Sequence, residues 1–204
     1  MNIALVEYGA GNLPSVERAL TRLGVESRRA STPEGLAGCD ALILPGVGHF
    51  GALMRSLDER ALVGPLRAAV SRGTPVLGIC LGLQAMFATS EEAPGDAGLA
   101  LFPQKVSALP PVDRLPHMGW NRLRRARPSV LLEGVPEDAY FYFAHSYAAL
   151  DAGEAGVAFC DHCASFVAVL EQGNVFATQF HPEKSGPVGA KILSNFVEHA
   201  GGKR

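Results

Sequence analysis

Strand-like runs and amphipathic stretches alternate along the first part of the chain. The runs that we interpret as strands are Asn2 to Tyr8, Val25 to Ala30, Ala41 to Leu44 and Pro75 to Ile79. Glycine or proline follows several of them, as expected where a buried strand ends in a turn. We therefore predict a set of short strands separated by helices.

The stretches between these strands carry helical patterns. The spacing i, i+3, i+4, i+7 is present at Val16, Ala19, Leu20 and Leu23. It predicts a helix that begins at Pro14 or Ser15 and ends at Gly24. One or two further helices are expected from about Phe50 to Arg72, with Pro65 at a first helical position. Such alternation predicts βαβ units, a parallel sheet and helices on both of its faces.

The second half of the chain has a different pattern. From about Leu99 to Thr178, short β-like runs are separated by Gly, Pro and Asp clusters. Phe166 to Leu170 and Val175 to Phe180 flank a Gln-Gly-Asn turn, which indicates a β-hairpin. A last helix is expected after Ser185. The overall prediction is one α/β domain over residues 1–204, a three-layer, doubly wound, mostly parallel sheet with an antiparallel extension in the C-terminal half.

Composition and charge narrow the function classes. The chain has 204 residues, of which 48% are hydrophobic and 19% charged, so a disordered chain is excluded. The formal charge of −2 gives no reason to expect nucleic acid or an acidic membrane as a partner. No export signal is recognisable at the N-terminus, so we expect a cytosolic protein whose cysteines are thiols. The uncharged run from Gly73 to Ser90 fits a strand, turn and helix better than a membrane span.

One cysteine has unusual neighbours. The segment Gly78 to Gly82 has the form G-x-C-x-G and lies between an apolar strand and a helix-like segment. This spacing is typical of a nucleophile elbow, a turn so tight that larger residues than glycine would collide. Cys80 would then be exposed at a helix N-terminus, which favours its thiolate, and the N–H of Leu81 would face a developing oxyanion. The structural alternative is a buried cysteine between two packing glycines.

A base and an orienting acid are available near the end of the chain. His181 precedes Pro182 and Glu183. If a strand ends here, the side chains of His181 and Glu183 lie on one side, and the carboxylate can fix the imidazole tautomer. We predict Cys80, His181 and Glu183 as nucleophile, base and orienter. His145 is the rival base, but it has no acid nearby in the sequence.

A second cysteine cluster is less informative. Cys160, His162 and Cys163 resemble half of a zinc site, but no second C-x-x-C is present and structural zinc requires four ligands. We therefore expect neither a metal nor a cofactor.

Several strings along the whole chain resemble one known family. G-x-C-x-G-x-Q from Gly78 to Gln84 and His-Pro-Glu at the end are similar to the class I (triad) glutamine amidotransferases. Finer matches resemble the glutaminase subunits of imidazole glycerol phosphate synthase. They are Tyr8 to Val16, Pro45 to Gly48, Pro116 to Asn121, His145 to Tyr147 and Gln179 to Ser185.

This resemblance implies glutamine as substrate and a thioester on Cys80 as intermediate. It places the second oxyanion donor in the Val47–Gly48 turn. It also places Gln84, Gly48, Ser146 and Tyr147 at the amino-acid end of the substrate. For these polar residues, the alternatives are a helix cap or surface residue and an ordinary strand end.

The resemblance further implies a partner, a (β/α)8-barrel cyclase subunit that receives ammonia and forms a heterodimer with this chain. The expected contact residues are Asn12, Met118, Trp120, Asn121 and Lys184. Trp120 is alternatively a core residue. Other function hypotheses are another class I amidotransferase, a cysteine hydrolase with the same elbow, and an inactive module retained for binding.

Overall fold

Parallel strands and helices alternate through the first half of the molecule. The computed structural model describes residues 1–202. The elements of this half are β1 (Ile3–Val6), α1 (Leu13–Arg22), β2 (Ser27–Ala30), α2 (Pro33–Leu36), β3 (Ala41–Gly46), α3 (Phe50–Glu59), α4 (Val63–Ser71), β4 (Val76–Cys80) and α5 (Leu81–Gln84). The predicted strands and the helices predicted before Cys80 are all present, with ends that differ from the predicted ones by one or two residues.

The second half consists of strands and one long helix. Its elements are β5 (Phe87–Ser90), β6 (Phe102–Ala108), β7 (His117–Arg122), β8 (Arg124–Arg125), β9 (Tyr140–His145), β10 (Tyr147–Ala149), β11 (Gly156–His162), β12 (Ala164–Gln172), β13 (Val175–Thr178) and α6 (Gly186–Ala200). Short 3-10 turns occur at Val130–Leu132, Gly153–Ala155 and Pro182–Lys184.

The central sheet has eight strands in the order β2-β1-β3-β4-β13-β12-β11-β8. The strands from β2 to β13 in this order are parallel, and those from β13 to β8 are antiparallel. The predicted hairpin is the β12–β13 pair, whose turn contains Gly173 at φ +59°. Gly46 on β3 pairs with Cys80 on β4, so the C-terminal ends of both strands meet at one edge of the sheet.

Side-chain alternation along the strands divides the core into two layers. On β1, Ala4 and Val6 pack in the cluster that contains residues of α3 and α4. Ile3 and Leu5 pack in the other cluster, together with α1 and α6. Because successive side chains of a strand point to opposite faces, helices cover both faces of the sheet. The predicted three-layer α/β fold is confirmed.

Two parts of the prediction were wrong in detail. The apolar segment after Cys80 was expected to be a helix, but α5 is only one turn and β5 follows, because β5 pairs with β6. The C-terminal strands were all expected to extend the main sheet. Instead, β5, β6 and β10 form one small sheet, and β7 and β9 form another.

Candidate active site

Cys80 lies at the sharp turn between β4 and α5. Its backbone has φ 54° and ψ −106°, a left-handed conformation that non-glycine residues seldom adopt. A Cβ on Gly78 would lie 2.8 Å from the backbone of Gly82, and a Cβ on Gly82 would collide with the carbonyl oxygen of Leu44. Both glycines are therefore required, although the contact at Gly82 is with β3 rather than across the elbow.

A cavity of about 200 Å³ opens at the Cys80 thiol. Its lining residues are Val47, Gly48, Cys80, Leu81, Gln84, Glu92, Ala144, His145, Ser146, Tyr147, His181 and Lys184. The structure thus brings every predicted oxyanion and substrate residue to one cavity with Cys80. The expectation of an exposed thiol was wrong. Cys80 is only 5% exposed and is reached through this cavity.

His181 and Glu183 form a buried pair beside the cavity. The imidazole Nδ1–H donates to Glu183 Oε1 at 2.8 Å, and the side chains are 3% and 1% exposed. The prediction that a strand end brings these two side chains together was wrong. The strand β13 already ends at Thr178, and a 3-10 turn at Pro182–Lys184 produces the contact. The backbone N–H of His181 donates to the carbonyl of Tyr142 at 2.9 Å, which anchors this turn to β9.

The environment of His181 favours its imidazolium form. Burial lowers the pKa, but the hydrogen bonds with Cys80 and Glu183 and the charges of both groups outweigh it and raise the pKa to about 9. At neutral pH His181 is therefore an imidazolium, hydrogen-bonded to both Cys80 and Glu183. Cys80, His181 and Glu183 have the arrangement of a nucleophile, an acid–base group and an orienting carboxylate.

The turn after β3 packs directly against the elbow. A Cβ on Gly46 would lie 2.6 Å from Leu81 Cβ and from the Gly82 nitrogen. Val47 is exposed, and Gly48 has φ +100° with open space around it. A glycine at this φ leaves the peptide orientation of the turn unrestricted by a side chain. The N–H groups of Leu81 and of this turn therefore belong to adjacent backbone segments.

The amide of Gln84 is buried among polar partners. Its Nε2 donates to the carbonyl oxygen of Tyr147 at 2.7 Å and to Oε1 of Gln179 at 3.2 Å. Gln179 in turn donates from Nε2 to Cys80 Sγ at 3.6 Å. Gln84 is 3% exposed, so the alternative of a surface polar residue is wrong. The contact between Gln179 and Cys80 was not predicted, because it joins a residue of β4 to one in the segment after β13.

Two charged side chains line the cavity. Lys184 is the last residue of the 3-10 turn Pro182–Lys184, and Glu92 follows β5. The carboxylate of Glu92 accepts the backbone N–H of Phe50 at 2.7 Å, which fixes it near the start of α3. Sequence reasoning missed Glu92, since an acidic pair in a loop is ordinarily a solvated surface feature.

His145 also lines the cavity, but its environment differs from that of His181. Burial, the nearby charge of His117 and smaller contributions lower its pKa to about 3. Its Nδ1–H donates to the carbonyl of Tyr147 at 2.9 Å, and its Nε2 lies 3.1 Å from Nδ1 of His117. His145 is thus a neutral ring fixed by two hydrogen bonds, with no carboxylate partner. This arrangement favours His181 as the base.

The predicted partner residues lie on and near β7. Met118 and Trp120 are 66% and 55% exposed, so Trp120 is not a core residue. The Trp120 ring contacts that of Tyr142 at 5.9 Å between centroids, and Lys184 Nζ lies 5.6 Å from the same ring. Asn121 is half-buried on the same strand. Asn12 is the residue before the first residue of α1.

The second cysteine cluster has a structural position. Cys160 is buried on β11 and burial raises its pKa to about 12, whereas Cys163 is in the turn before β12 at φ +59°. All four cysteines are free thiols. Within residues 1–202, no group of His, Cys, Asp or Glu side chains has the arrangement of a metal site. None of the helices in the described part has the length and hydropathy that crossing a bilayer requires.

Comparison with known proteins identifies the class that this fold and site define. Residues 4–200 match the family model of class-I glutamine amidotransferases. Three curated relatives are each described as "Imidazole glycerol phosphate synthase subunit HisH". The relative from Methanothermobacter thermautotrophicus is 47% identical over 96% of this chain and 98% of its own. That from Geobacillus kaustophilus is 47% identical, with 98% of both covered, and that from Moorella thermoacetica is 44% identical over 98% and 97%. The chain therefore belongs to the class-I glutamine amidotransferases and, within them, to the HisH family.

Solved structures support the fold. A crystal structure of a glutamine amidotransferase superposes with a TM-score of 0.78 at 23% identity, covering 97% of this chain and 98% of that one. The glutaminase domain of Trypanosoma brucei CTPS with bound acivicin superposes with a TM-score of 0.70 at 19% identity, covering 100% and 95%. At these identities the likeness shows the architecture alone.

Proposed function

We propose that this chain is the glutaminase subunit of imidazole glycerol phosphate synthase. It hydrolyses glutamine to glutamate and ammonia and delivers the ammonia to a (β/α)8-barrel cyclase subunit, which makes imidazole glycerol phosphate and AICAR in histidine biosynthesis. The observation that carries the proposal is the meeting of Cys80 with the buried His181–Glu183 pair at one cavity. The HisH relatives select the reaction among those of the class.

The proposed reaction uses Cys80 as a thiolate and His181 as an imidazolium that is oriented by Glu183. The Cys80 thiolate attacks the side-chain amide carbon, and the amide oxygen becomes an oxyanion. The His181 imidazolium then gives its proton to the nitrogen as the C–N bond breaks, so that ammonia leaves and a thioester remains. In the second half, neutral His181 takes a proton from water, which attacks the thioester. Glutamate and the Cys80 thiolate are released, and His181 is again protonated.

The oxyanion would be held by two backbone N–H groups. One is that of Leu81, the first residue of α5, and the other belongs to the Val47–Gly48 turn. The close packing of Gly46 on Leu81 supports this assignment, because it holds both segments against each other. A single donor of this kind is typically worth about 10² to 10³ in turnover.

The rest of the cavity would recognise the amino-acid end of glutamine. Gln84, Gly48, Ser146 and Tyr147 line it, as the family resemblance predicted. To these we add Glu92, which lines the cavity and whose carboxylate is complementary in charge to an α-ammonium group. No single residue needs to supply the affinity, since the pocket combines charge, backbone acceptors and shape.

Ammonia needs protection on its way to the second reaction. In bulk water at neutral pH it is mostly protonated and is then not a nucleophile, so direct transfer to a bound partner is required. The exposed residues Met118 and Trp120, with Asn121, Asn12 and Lys184, form the proposed contact surface for the cyclase. Large exposed apolar side chains are enriched where proteins associate.

The test combines a partner with two reactions. Purified chain and the barrel cyclase should form a complex, and cyclase ligand should increase glutamate release. Cys80→Ala should abolish glutamate release to background while added ammonium still supports imidazole glycerol phosphate formation. Loss of both reactions would indicate a structural role for Cys80. Glutaminase activity that does not respond to the cyclase would indicate another class-I amidotransferase, and absence of any activity would favour a binding module.

A further inference from the structure

Gln179 occupies a position that the mechanism above does not use. It is fully buried, and it contacts the nucleophile Cys80 without lining the cavity. Its Nε2 is 3.6 Å from Cys80 Sγ, within hydrogen-bond range for sulfur, and its Oε1 is 3.2 Å from Gln84 Nε2. A buried amide with both ends bonded has a fixed orientation.

The direction of these hydrogen bonds is set by the carbonyl of Tyr147. A carbonyl oxygen can only accept, so Gln84 must present its NH₂ group at 2.7 Å. The same NH₂ group is then a donor to Gln179, which must turn its oxygen toward Gln84. The NH₂ end of Gln179 is consequently left facing Cys80. The amide cannot flip without placing two NH₂ groups against each other.

The Tyr147 carbonyl is held from a second side. Since it also accepts from His145 Nδ1–H at 2.9 Å, the Nε2 of His145 is unprotonated and accepts from His117 Nδ1–H at 3.1 Å. His145 and His117 are 6% and 5% exposed. The acceptor that orients Gln84 and Gln179 is therefore itself fixed by buried neutral rings.

We propose that Gln179 is a further catalytic residue of glutamine hydrolysis, whose amide N–H donates to Cys80 Sγ and stabilises the attacking thiolate from behind. This inference rests on the proposed function. An N–H donor beside a thiolate lowers its free energy and fixes the sulfur in direction, while a thiol gains much less. Because Gln179 does not line the cavity, it contributes to the reactivity of the sulfur and not to substrate binding.

Two isosteric variants test the inference. Gln179→Met keeps the volume and removes the donor, and Gln179→Glu keeps the shape and places a carboxylate beside the sulfur. The readout is the rate at which iodoacetamide alkylates Cys80 as a function of pH, followed on the Cys80 peptide by mass spectrometry because Cys39 and Cys163 are also accessible. Thermal unfolding of each variant establishes that it is folded. Gln104→Met is the matched control, a glutamine outside the cavity.

We expect alkylation of Cys80 at pH 7 to slow about 10-fold in Gln179→Met and further in Gln179→Glu, with the pH profile displaced upward. In the complex, kcat should fall about 10- to 100-fold while KM for glutamine changes little. Gln104→Met should match the parent. An unchanged alkylation profile in both folded variants would overturn the inference. If the parent complex itself releases no glutamate, the proposed function fails, and the alkylation profile still decides the role of Gln179.

Discussion

His181 Nδ1 lies 2.8 Å from Glu183 Oε1, although one proline separates the two residues in the chain. A 3-10 turn at Pro182–Lys184 produces this contact, and Ser185 Oγ fixes the turn by donating to the His181 carbonyl at 2.7 Å. Acid and imidazole are thus positioned by a local structure, whereas the nucleophile comes from a distant strand. The geometry of the His181–Glu183 pair is therefore set within residues 181–185 and does not depend on Cys80.

Replacement of this carboxylate should change both the rate and its pH dependence. In Glu183→Gln the imidazolium loses a charged partner, so the pKa of His181 should fall from about 9 toward its ordinary value. The protonated form, which donates to the leaving nitrogen, would then be lost at lower pH. We expect kcat/KM of the complex to fall about 10² to 10⁴-fold, and the alkaline limb of its pH profile to move down from about 9.

The Glu183→Asp variant is the control for charge, because it retains a carboxylate at a shorter reach. It should keep the alkaline limb near that of the parent while losing rate. An alkaline limb near 9 in Glu183→Gln would contradict the assigned role of the carboxylate.

The elbow predicts a stability difference between two glycines. A Cβ at Gly82 would meet the Leu44 carbonyl, a backbone atom that cannot move aside, whereas a Cβ at Gly64 in α4 meets nothing within 4 Å. Gly82→Ala should therefore lower the free energy of unfolding by about 1–3 kcal/mol and Tm by several degrees. Gly64→Ala should be neutral or stabilising by up to about 1 kcal/mol, because alanine favours helix. Calorimetric melting of both variants checks the pair, and equal melting temperatures would contradict the steric argument.

The parallel half of the fold was predictable because its signals are local. Glycine and proline mark the strand ends, and the close approach of Gly78 to Gly82 across the elbow is visible as a five-residue spacing. The strand β5 was not predictable from its own residues. Its apolar composition suits a helix as well as a strand, and the pairing of Phe87 with Phe102 decides between them.

The same division applies to the candidate site. Cys80 and His181 occur in distinctive strings, and Gln179 lies in the same string as His181. The contact of Gln179 with Cys80 and the position of Glu92, however, arise only from tertiary structure. The contact between Gln179 and Cys80 joins residues 99 apart in the chain. A single sequence carries no signal for such a contact, because a buried polar residue on a strand end has no pattern of its own.

The two buried histidines beside Tyr147 should make the protein sensitive to acid. Burial is the main cause that lowers the pKa of His117 to about 4 and that of His145 to about 3, with charges of neighbouring histidines, His162 and His181 among them, acting in the same direction. In the unfolded chain both titrate near 6.5. Below that pH the unfolded state binds more protons than the folded state. The contribution of these two histidines to the free energy of unfolding is therefore fully present above about pH 6.5 and is lost progressively toward pH 4.

The measurement is Tm at pH 7 and pH 5 for the parent and for His145→Gln. The variant should be less stable at pH 7, since a buried hydrogen bond is altered, but its loss of Tm on acidification should be smaller than that of the parent. His181 has the opposite sign, because its raised pKa makes its contribution complete below about 6.5 and removes it as pH rises through about 9. The same acid-induced drop in both proteins would contradict a neutral buried His145.

The exposed ring of Trp120 should carry a large share of the affinity for the cyclase. It is 55% exposed and packs edge-on against Tyr142, and Lys184 Nζ lies 5.6 Å from the centre of the Tyr142 ring. An aromatic side chain that is already supported by a neighbour loses little conformational entropy on association. Trp120→Ala should weaken the complex by about 2 kcal/mol or more, which is about 30-fold in Kd, measured by calorimetric titration with the barrel subunit. At saturating partner its glutaminase activity should approach that of the parent.

Leu150→Ala, which truncates a 41% exposed side chain after β10, is the control and should leave Kd unchanged. Equal effects of the two variants would place the contact surface elsewhere.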